Sequence, residues 1–394
     1  MKTNLKVLTL NCWGVPVPVA CKDHHERMVA IGEKISKSSY DIVFFQEVWK
    51  KGDYEILKKQ IGSTMPNSHY FYSGSIGSGL CLFSKYPILE TIYHRFDPNG
   101  YVHKIQHGDW FGGKGLGLAK ISVDGFTVNS YITHIHAEYN RDNDEYRAHR
   151  IAQSFTTSQF IKLTNGSADL SLLCGDLNLE PVDLGYKMIC NNAGMKDSWL
   201  EKKSSITEDK GGNTCDCPSN SYVDDKHKDR YPDGKRIDYI LYKSGNNCDA
   251  VIEECNVTLG RIPGKLFNYS DHEAVEATIS LESTKTGPTT TPQNDSLVAM
   301  LQECLTILDD GLQMTIRNRR FFILFSIICL ILAYFIAIIH IPFPLDYFVT
   351  FIRLVLGLMM GFGIVQSTIM ITSEVHGLKA SRDDVKNLLR SLQK

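Results

Sequence analysis

The chain has 394 residues, with 42 Lys plus Arg against 44 Asp plus Glu, a formal net charge of -2 and 43% hydrophobic residues. That length exceeds one ordinary domain, and the near-neutral balance, without a Lys/Arg run interleaved with aromatics, argues against an enzyme that tracks a nucleic-acid backbone. Residues 1–281 alone carry 32 basic and 35 acidic side chains, a net -3, so no basic domain is hidden there.

From the N-terminus, Leu5 to Asn11 alternates as a strand and leads into Cys12-Trp13-Gly14. Residues 41–47 read as a buried strand ending on the acid Glu47. The glycines of Gly112-Gly113-Lys114-Gly115 would let backbone N–H groups approach a phosphate, and Lys114 adds a point charge. The loop lacks the GxxxxGK[ST] spacing, which argues against a nucleotide site. Residues 126–134 alternate and deliver His134, and residues 170–178 form a second buried run ending in Gly175-Asp176-Leu177-Asn178.

In residues 236–241, Asp238 interrupts a strand that otherwise reads as buried. An unpaired carboxylate there is costly, so Asp238 needs a metal, an Arg or hydrogen-bond donors. Arg236 shares its strand face, but a shared polar rim explains Asp238 better than that pairing. Next comes Asp271-His272, before a short apolar strand pattern. Imidazole titrates near neutrality and an adjacent Asp can orient it, which makes His272 a candidate general base and Asp271 its orienter. His103, His107 and His136 are read as hydrogen-bonded structural residues.

The chain changes character after Ile279. Residues 282–296 form a polar, Pro-bearing linker. Over residues 297–316, Leu297, Met300, Leu301, Cys304, Leu305, Leu308 and Leu312 recur at helical spacing and predict an amphipathic helix whose apolar stripe needs a cover. Residues 321–341 carry no Asp, Glu, Lys or Arg. At about 1.5 Å per residue they span a hydrocarbon core of about 30 Å. Residues 348–371 form a second span, in which Arg353 is placed to snorkel and Gly357-x-x-x-Gly361 predicts close packing against the first. The short connection 342–347 predicts a hairpin. Arg317, Arg319 and Arg320 before it, Lys379 and Arg382 after it, and no Lys or Arg in the connection place both ends in the cytosol. Residues 372–394, with Val385, Leu388, Leu389 and Leu392, predict a last cytosolic helix packing on the amphipathic one. Eleven scattered Cys without CxxC spacing give no zinc signal, and with no signal peptide ahead of Lys2 they predict reduced thiols on the cytosolic side.

In order, Leu10-Asn11-Cys12-Trp13, Gln46-Glu47-Val48-Trp49, Thr133-His134, Gly175-Asp176-Leu177-Asn178, Arg236-Ile237-Asp238-Tyr239 and Ser270-Asp271-His272 resemble the metal-dependent endonuclease/exonuclease/phosphatase superfamily, over residues 1 to about 280. Within it, residues 78–85, 107–115 and 133–139 resemble the neutral sphingomyelinase branch. The resemblance implies an α/β fold, a four-layer α/β/β/α sandwich over residues 1–281, here followed by the two-helix transmembrane hairpin. It implies a Mg²⁺-dependent phosphodiesterase that hydrolyses membrane sphingomyelin to ceramide and phosphocholine by in-line attack of water on phosphorus.

By the same resemblance Glu47 is a metal ligand with Asn11 beside it, and oxygen ligands suit a hard cation. His272 takes the proton of the attacking water, with Asp271 setting its tautomer. His134 donates to the phosphoryl oxygens, and Asp176 and Asn178 hold the water and a phosphate oxygen, Asn178 as the substrate contact. Asp238 orients His134 or the metal site. Lys114 contacts the phosphate, with Asp109 as a switch partner that pairs it away or frees it. With the hairpin, the reading is an integral protein of the endoplasmic reticulum or plasma membrane, its catalytic domain facing the cytosol, binding no nucleic acid and open to self-association through its membrane helices. Three alternatives stay open: phospholipase C-type hydrolysis of a lyso-choline lipid, an inositol polyphosphate phosphatase, and a catalytically inactive membrane scaffold.

Overall fold

The computed structural model describes residues 1–17, 20–203, 211–284, 294–338 and 342–393. Most of the expected linker (285–293) and the end of the first expected span (339–341) lie outside these residues.

Twelve strands carry the catalytic part: β1 (Lys2–Asn11), β2 (Ile42–Gln46), β3 (Asn67–Phe71), β4 (Leu80–Ser84), β5 (Ile88–Arg95), β6 (Gly115–Val123), β7 (Phe126–His134), β8 (Leu170–Asp176), β9 (Lys196–Asp197), β10 (Asp238–Ser244), β11 (Cys248–Thr258) and β12 (Ala274–Ser283). They form two six-stranded sheets, in the orders β11-β12-β1-β2-β4-β3 and β5-β6-β7-β8-β10-β9. Leu5, Val7, Ile42 and Phe44 of the first sheet meet Ile121, Val128, Ile132, Leu172 and Ile240 of the second in one buried cluster. Successive side chains point to opposite faces of a strand, so a strand covered on both sides reads as an unbroken apolar run. Residues 42–45 and 172–174 are such runs.

Helices cover the outer faces. On the first sheet, α1 (His24–Ser36) and α2 (Lys51–Ile61) bring Met28, Ile31, Ile35, Leu57 and Ile61 onto Leu8, Leu10, Val43 and Phe45. A short α3 (Asp109–Gly112) precedes β6. On the second sheet, α4 (Arg147–Thr164) and α5 (Leu184–Ala193) contribute Ile161, Tyr186 and Ile189 against Tyr131, Leu173, Tyr239 and Leu241. Short helices α6 (Ser198–Glu201) and α7 (Asp225–Arg230) lie in connections. This is the expected α/β/β/α sandwich.

The strand register aligns polar ends. Parallel pairing of β7 with β8 sets His134 opposite Asp176, and antiparallel pairing of β8 with β10 sets Asp176 opposite Asp238. On the other sheet, Asn11 of β1 pairs with Gln46 of β2, one residue before Glu47. Gly175 makes the close approach of β7 and β8 feasible: its φ is +145°, and a Cβ there would lie 2.0 Å from the Thr133 carbonyl oxygen.

At the C-terminus two long helices replace the four shorter ones expected. Helix α8 (Asn294–Ile338) runs unbroken for 45 residues, joining the amphipathic stretch to the first apolar run. Helix α9 (Asp346–Val365) continues through one π turn (Gln366–Met370) into α10 (Ile371–Leu392). Residues 317–320 contain neither Gly nor Pro, so their charge marks the start of the apolar run without ending the helix. Phe321, Leu324, Ile327, Phe348, Phe351 and Leu354 are largely uncovered, as lipid-facing side chains would be. Both helices are long and apolar enough to cross a membrane. Their contact differs from the expected one: Gly357 and Gly361 face open space, whereas a Cβ on Gly363 would lie 2.3 Å from Ser326 Oγ. Arg353 does not merely snorkel; its Nη2 donates to the Ile336 carbonyl at 2.9 Å.

The amphipathic stripe is covered, as expected, by the last helix, and also by the catalytic part. Leu297, Leu301, Cys304, Leu308 and Leu312 bury against Val375, Leu378 and Val385 of α10 and Ala148, Ile151 and Phe155 of α4. Polar contacts reinforce the seam: Glu374 accepts from the Asn99 N–H at 3.3 Å and lies 3.2 Å from His149 Nε2, and the Tyr101 and Thr315 hydroxyls meet at 2.9 Å. A Cβ on Gly311 would lie 2.2 Å from Ala148 Cβ. Gly311→Leu is therefore expected to pry α8 off α4, an overpacking cost of about 1–3 kcal/mol. A lowered thermal midpoint of the detergent-solubilised chain is the measurement, and an unchanged midpoint refutes the seam.

Candidate active site

The polar strand ends meet at one end of the sandwich. His134 Nε2 lies 3.4 Å from Asp176 Oδ2 and 4.0 Å from Glu47 Oε1. Asn11 Nδ2 donates to Glu47 Oε1 and Asp176 Oδ2, each at 3.1 Å. Asn178 gives its backbone N–H to Asp176 Oδ1 at 2.8 Å and its amide to the Ile135 carbonyl at 3.0 Å. Asp176, Asp238 and His272 present ligand-type atoms within 4.8 Å of one another. Trp13, Glu47 and Asn178, each just beyond a strand end of this rim, have φ of +46°, +57° and +47°. Such backbone is uncommon for these residue types and gathers where side chains must be aimed.

Three sequence-level assignments change. The orienter of His272 is Asp238, not Asp271: Asp238 Oδ2 lies 2.8 Å from His272 Nδ1 and also accepts from Thr214 Oγ1 at 2.5 Å. The Asp271 carboxylate takes the Ser270 hydroxyl at 3.2 Å instead. It follows that Asp238 serves His272 rather than His134. The predicted need of Asp238 for donors is thus met, and Arg236 pairs elsewhere, with Asp197 at 2.6 Å.

The third concerns His134. Lys114 Nζ sits 3.0 Å from His134 Nε2 and 3.0 Å from the Ile135 carbonyl. With the ammonium as donor, Nε2 accepts and the ring proton falls on Nδ1, which is buried with no hydrogen-bond partner among the described residues. Burial, then Lys114, pushes the His134 pKa well below its ordinary value. In this arrangement Lys114, not His134, is the donor at the rim. Lys114 also forms an ion pair with Asp109, which takes the Tyr139 hydroxyl. Burial would raise Asp109, but His136 and Lys114 outweigh it and hold this carboxyl well below the usual range. His136 stacks on Tyr146 at 4.0 Å and His107 Nδ1 meets the Tyr146 hydroxyl at 2.7 Å, the structural roles expected of them.

The cleft is rich in negative charge. Asp176 is pushed up to about 7 by burial and by Asp238, and Asp271 to about 6 by burial and by Glu47. Burial works against charge on His272, yet Cys215 and Asp238 outweigh it and raise its pKa well above the ordinary value. Lys114 is already matched by Asp109 and His272 by Asp238, so Glu47 and Asp176 lack a full counter-charge of their own. Asp238 Oδ1 is buried with no hydrogen-bond partner among the described residues. A cluster of oxygen donors with surplus negative charge fits a hard divalent cation. Glu47 and Asp176 could hold it. The Asn11 amide faces them with its nitrogen while its Oδ1 accepts from Trp13 N–H at 3.0 Å, so ligation by Asn11 requires the amide to turn.

Arg27 escaped the sequence reading. It is wholly buried in α1, and its guanidinium binds the carbonyls of Lys22, Cys12 and Trp13 at 2.8–2.9 Å and of Tyr269 at 3.3 Å. It thereby ties the loop after β1 to the loop that carries His272. The available signal was position, since Arg27 shares a helix stripe with Ile31 and Ile35. Arg27→Met is expected to strand these carbonyls, each costing about 1–3 kcal/mol if it stays buried and unpaired. A thermal midpoint equal to that of the unaltered chain would count against this role.

Comparisons with known proteins agree with the geometry. Residues 8–272 match the Endonuclease/Exonuclease/phosphatase family model. A candidate neutral sphingomyelinase of Caenorhabditis elegans is 38% identical over 98% of this chain and 91% of its own length. Human sphingomyelin phosphodiesterase 2 is 39% identical over 78% of this chain and 73% of its own length. Among solved structures, Staphylococcus aureus beta toxin with bound magnesium ions superposes with a TM-score of 0.53 at 23% identity, covering 70% of this chain and 99% of the toxin.

Proposed function

Because this chain belongs to the endonuclease/exonuclease/phosphatase family and to its neutral sphingomyelinase branch, and is thus a phosphoric diester hydrolase, we propose that it cleaves membrane sphingomyelin to ceramide and phosphocholine with Mg²⁺ as cofactor. The observation that carries this reading is the His272–Asp238 pair set beside the acidic cleft of Glu47 and Asp176. His272 takes a proton from the attacking water as the water oxygen bonds to phosphorus, the bond to the ceramide oxygen breaks, and that oxygen takes up a proton from solvent. Asp238 fixes the imidazole through Nδ1, which leaves Nε2 as the acceptor. Asn178 and Lys114 receive the phosphoryl oxygens, and Lys114 must loosen from Asp109 or share its donors to do so. Glu47 and Asp176 would hold a divalent cation, whose positive charge would offset the charge building on the phosphate.

The two apolar helices anchor the chain in a membrane, with the flanking Arg and Lys placing the catalytic part in the cytosol. The domain division follows: a catalytic unit over residues 1–281, a linker, and a membrane hairpin whose cytosolic ends dock on that unit. The test is phosphocholine release from sphingomyelin and from a lyso-choline lipid, with and without Mg²⁺, by the full chain and by its His272→Ala variant. The reading expects sphingomyelin to be preferred and the variant to be silent. Release only from the lyso lipid would move the substrate assignment to the single-chain lipids, and release from neither would favour an inactive scaffold.

A further inference from the structure

Along α8, successive residues touch the catalytic part, first α4 and then the connection between β5 and α3. Gly311 lies against Ala148, the Thr315 hydroxyl meets Tyr101 at 2.9 Å, and the Phe322 ring packs edge-on to His103 with centroids 5.0 Å apart. Phe322 is the second residue of the apolar run, and Arg317, Arg319 and Arg320 just before it mark the headgroup zone. The 101–103 segment is therefore held at the level where α8 enters the membrane. Ile105 follows two residues later, within about 7 Å along an extended chain, and is 70% exposed. A lone exposed Ile is ordinary on a protein surface. Its height beside α8 sets Ile105 apart.

The same connection then runs into α3, where Trp110 and Phe111 form a T-shaped pair with centroids 5.2 Å apart. Ile76, also exposed, is joined to it, since the N–H groups of Ser75 and Ile76 both reach the Phe111 carbonyl, at 2.8 and 3.4 Å. Aromatic and aliphatic side chains of this kind favour the membrane interface. The connection ends on Lys114. We propose that residues 103–111 form a lip seated in the headgroup layer of the bilayer that holds α8 and α9, which sets Lys114 near the plane of the lipid phosphates. The occupant is the phospholipid surface, because the patch is continuous with the membrane entry of α8. The inference rests on the membrane-enzyme reading and adds the surface by which substrate enters.

The test uses the full chain in phosphatidylcholine nanodiscs. A benzophenone amino acid in place of Ile105 is expected to give phospholipid photo-adducts at least fivefold above the same group in place of Leu163. Leu163 is 81% exposed at the far end of α4. In parallel, Ile105→Asp should lower hydrolysis of bilayer sphingomyelin at least tenfold while leaving a water-soluble phosphocholine ester untouched, and Ile105→Leu should behave as the unaltered chain. Equal adducts at the two positions, or equal loss on both substrates, overturns the lip. A chain that releases phosphocholine from nothing refutes the functional reading alone, because the photo-adducts still decide where Ile105 sits.

Discussion

Asp238→Asn is expected to reduce phosphocholine release by about 10²–10⁴-fold, the range a positioned general base contributes. The wild-type carboxylate accepts from His272 Nδ1 and from Thr214, so the imidazole holds one tautomer with Nε2 as the acceptor. An amide at 238 can meet Nδ1 with its NH₂, which favours the opposite tautomer, and it withdraws the negative charge that stabilises the imidazolium formed during attack. The fold should survive, since Asn is nearly isosteric and the Thr214 hydroxyl, which shares Oδ2 with His272, can accept from the amide NH₂ instead of donating. Asp271→Asn is the matched control, because its carboxylate touches Ser270 rather than the ring. The expected pattern is a large fall in kcat at 238 and a much smaller one at 271. The reverse order would return the orienting role to Asp271.

Glu47→Gln is expected to abolish Mg²⁺-dependent activity at Mg²⁺ concentrations that saturate the unaltered enzyme, and chelation should silence the latter reversibly. Lys114 and His272 are already paired with Asp109 and Asp238, so removing the Glu47 carboxylate weakens the attraction of the cleft for a hard cation. The pH dependence has a definite sign. Asp176, pushed up to about 7, binds a proton below that value, and a cation must displace it. Mg²⁺ affinity should fall as pH drops through about 7, with proton release on binding detectable by calorimetry in buffers of different ionisation enthalpy. A Glu47→Gln chain that titrates with Mg²⁺ like its parent would remove Glu47 from the site.

The rim residues were legible because each closes an apolar run. His134, Asp176 and Glu47 had to lie at strand ends, and register then made two of them neighbours across β7 and β8. The Asp238–His272 contact was not legible. It joins residues 34 apart, Asp238 on β10 and His272 in the loop before β12, while the adjacent Asp271 offered a local pairing that the fold does not use. Arg27 hid as a charge on an amphipathic helix. Lys114 was found by its glycines, but its hold on His134 depends on which atoms can donate, which no spacing reveals. The membrane runs were plain from hydropathy, whereas the face that each helix turns to its neighbour was not: Gly363, outside the Gly357/Gly361 pair, makes the contact.

The unbroken course of α8 bears on kinetics. A catalytic head joined by a helix seated on α4, rather than hung from it by a slack tether, does not sweep through the surrounding water. On the proposed membrane reading it patrols one plane at fixed height and meets substrate by lateral diffusion in its own leaflet. Velocity then scales with the mole fraction of substrate in that leaflet, and diluting the vesicles at constant lipid composition should leave the turnover of each embedded molecule unchanged.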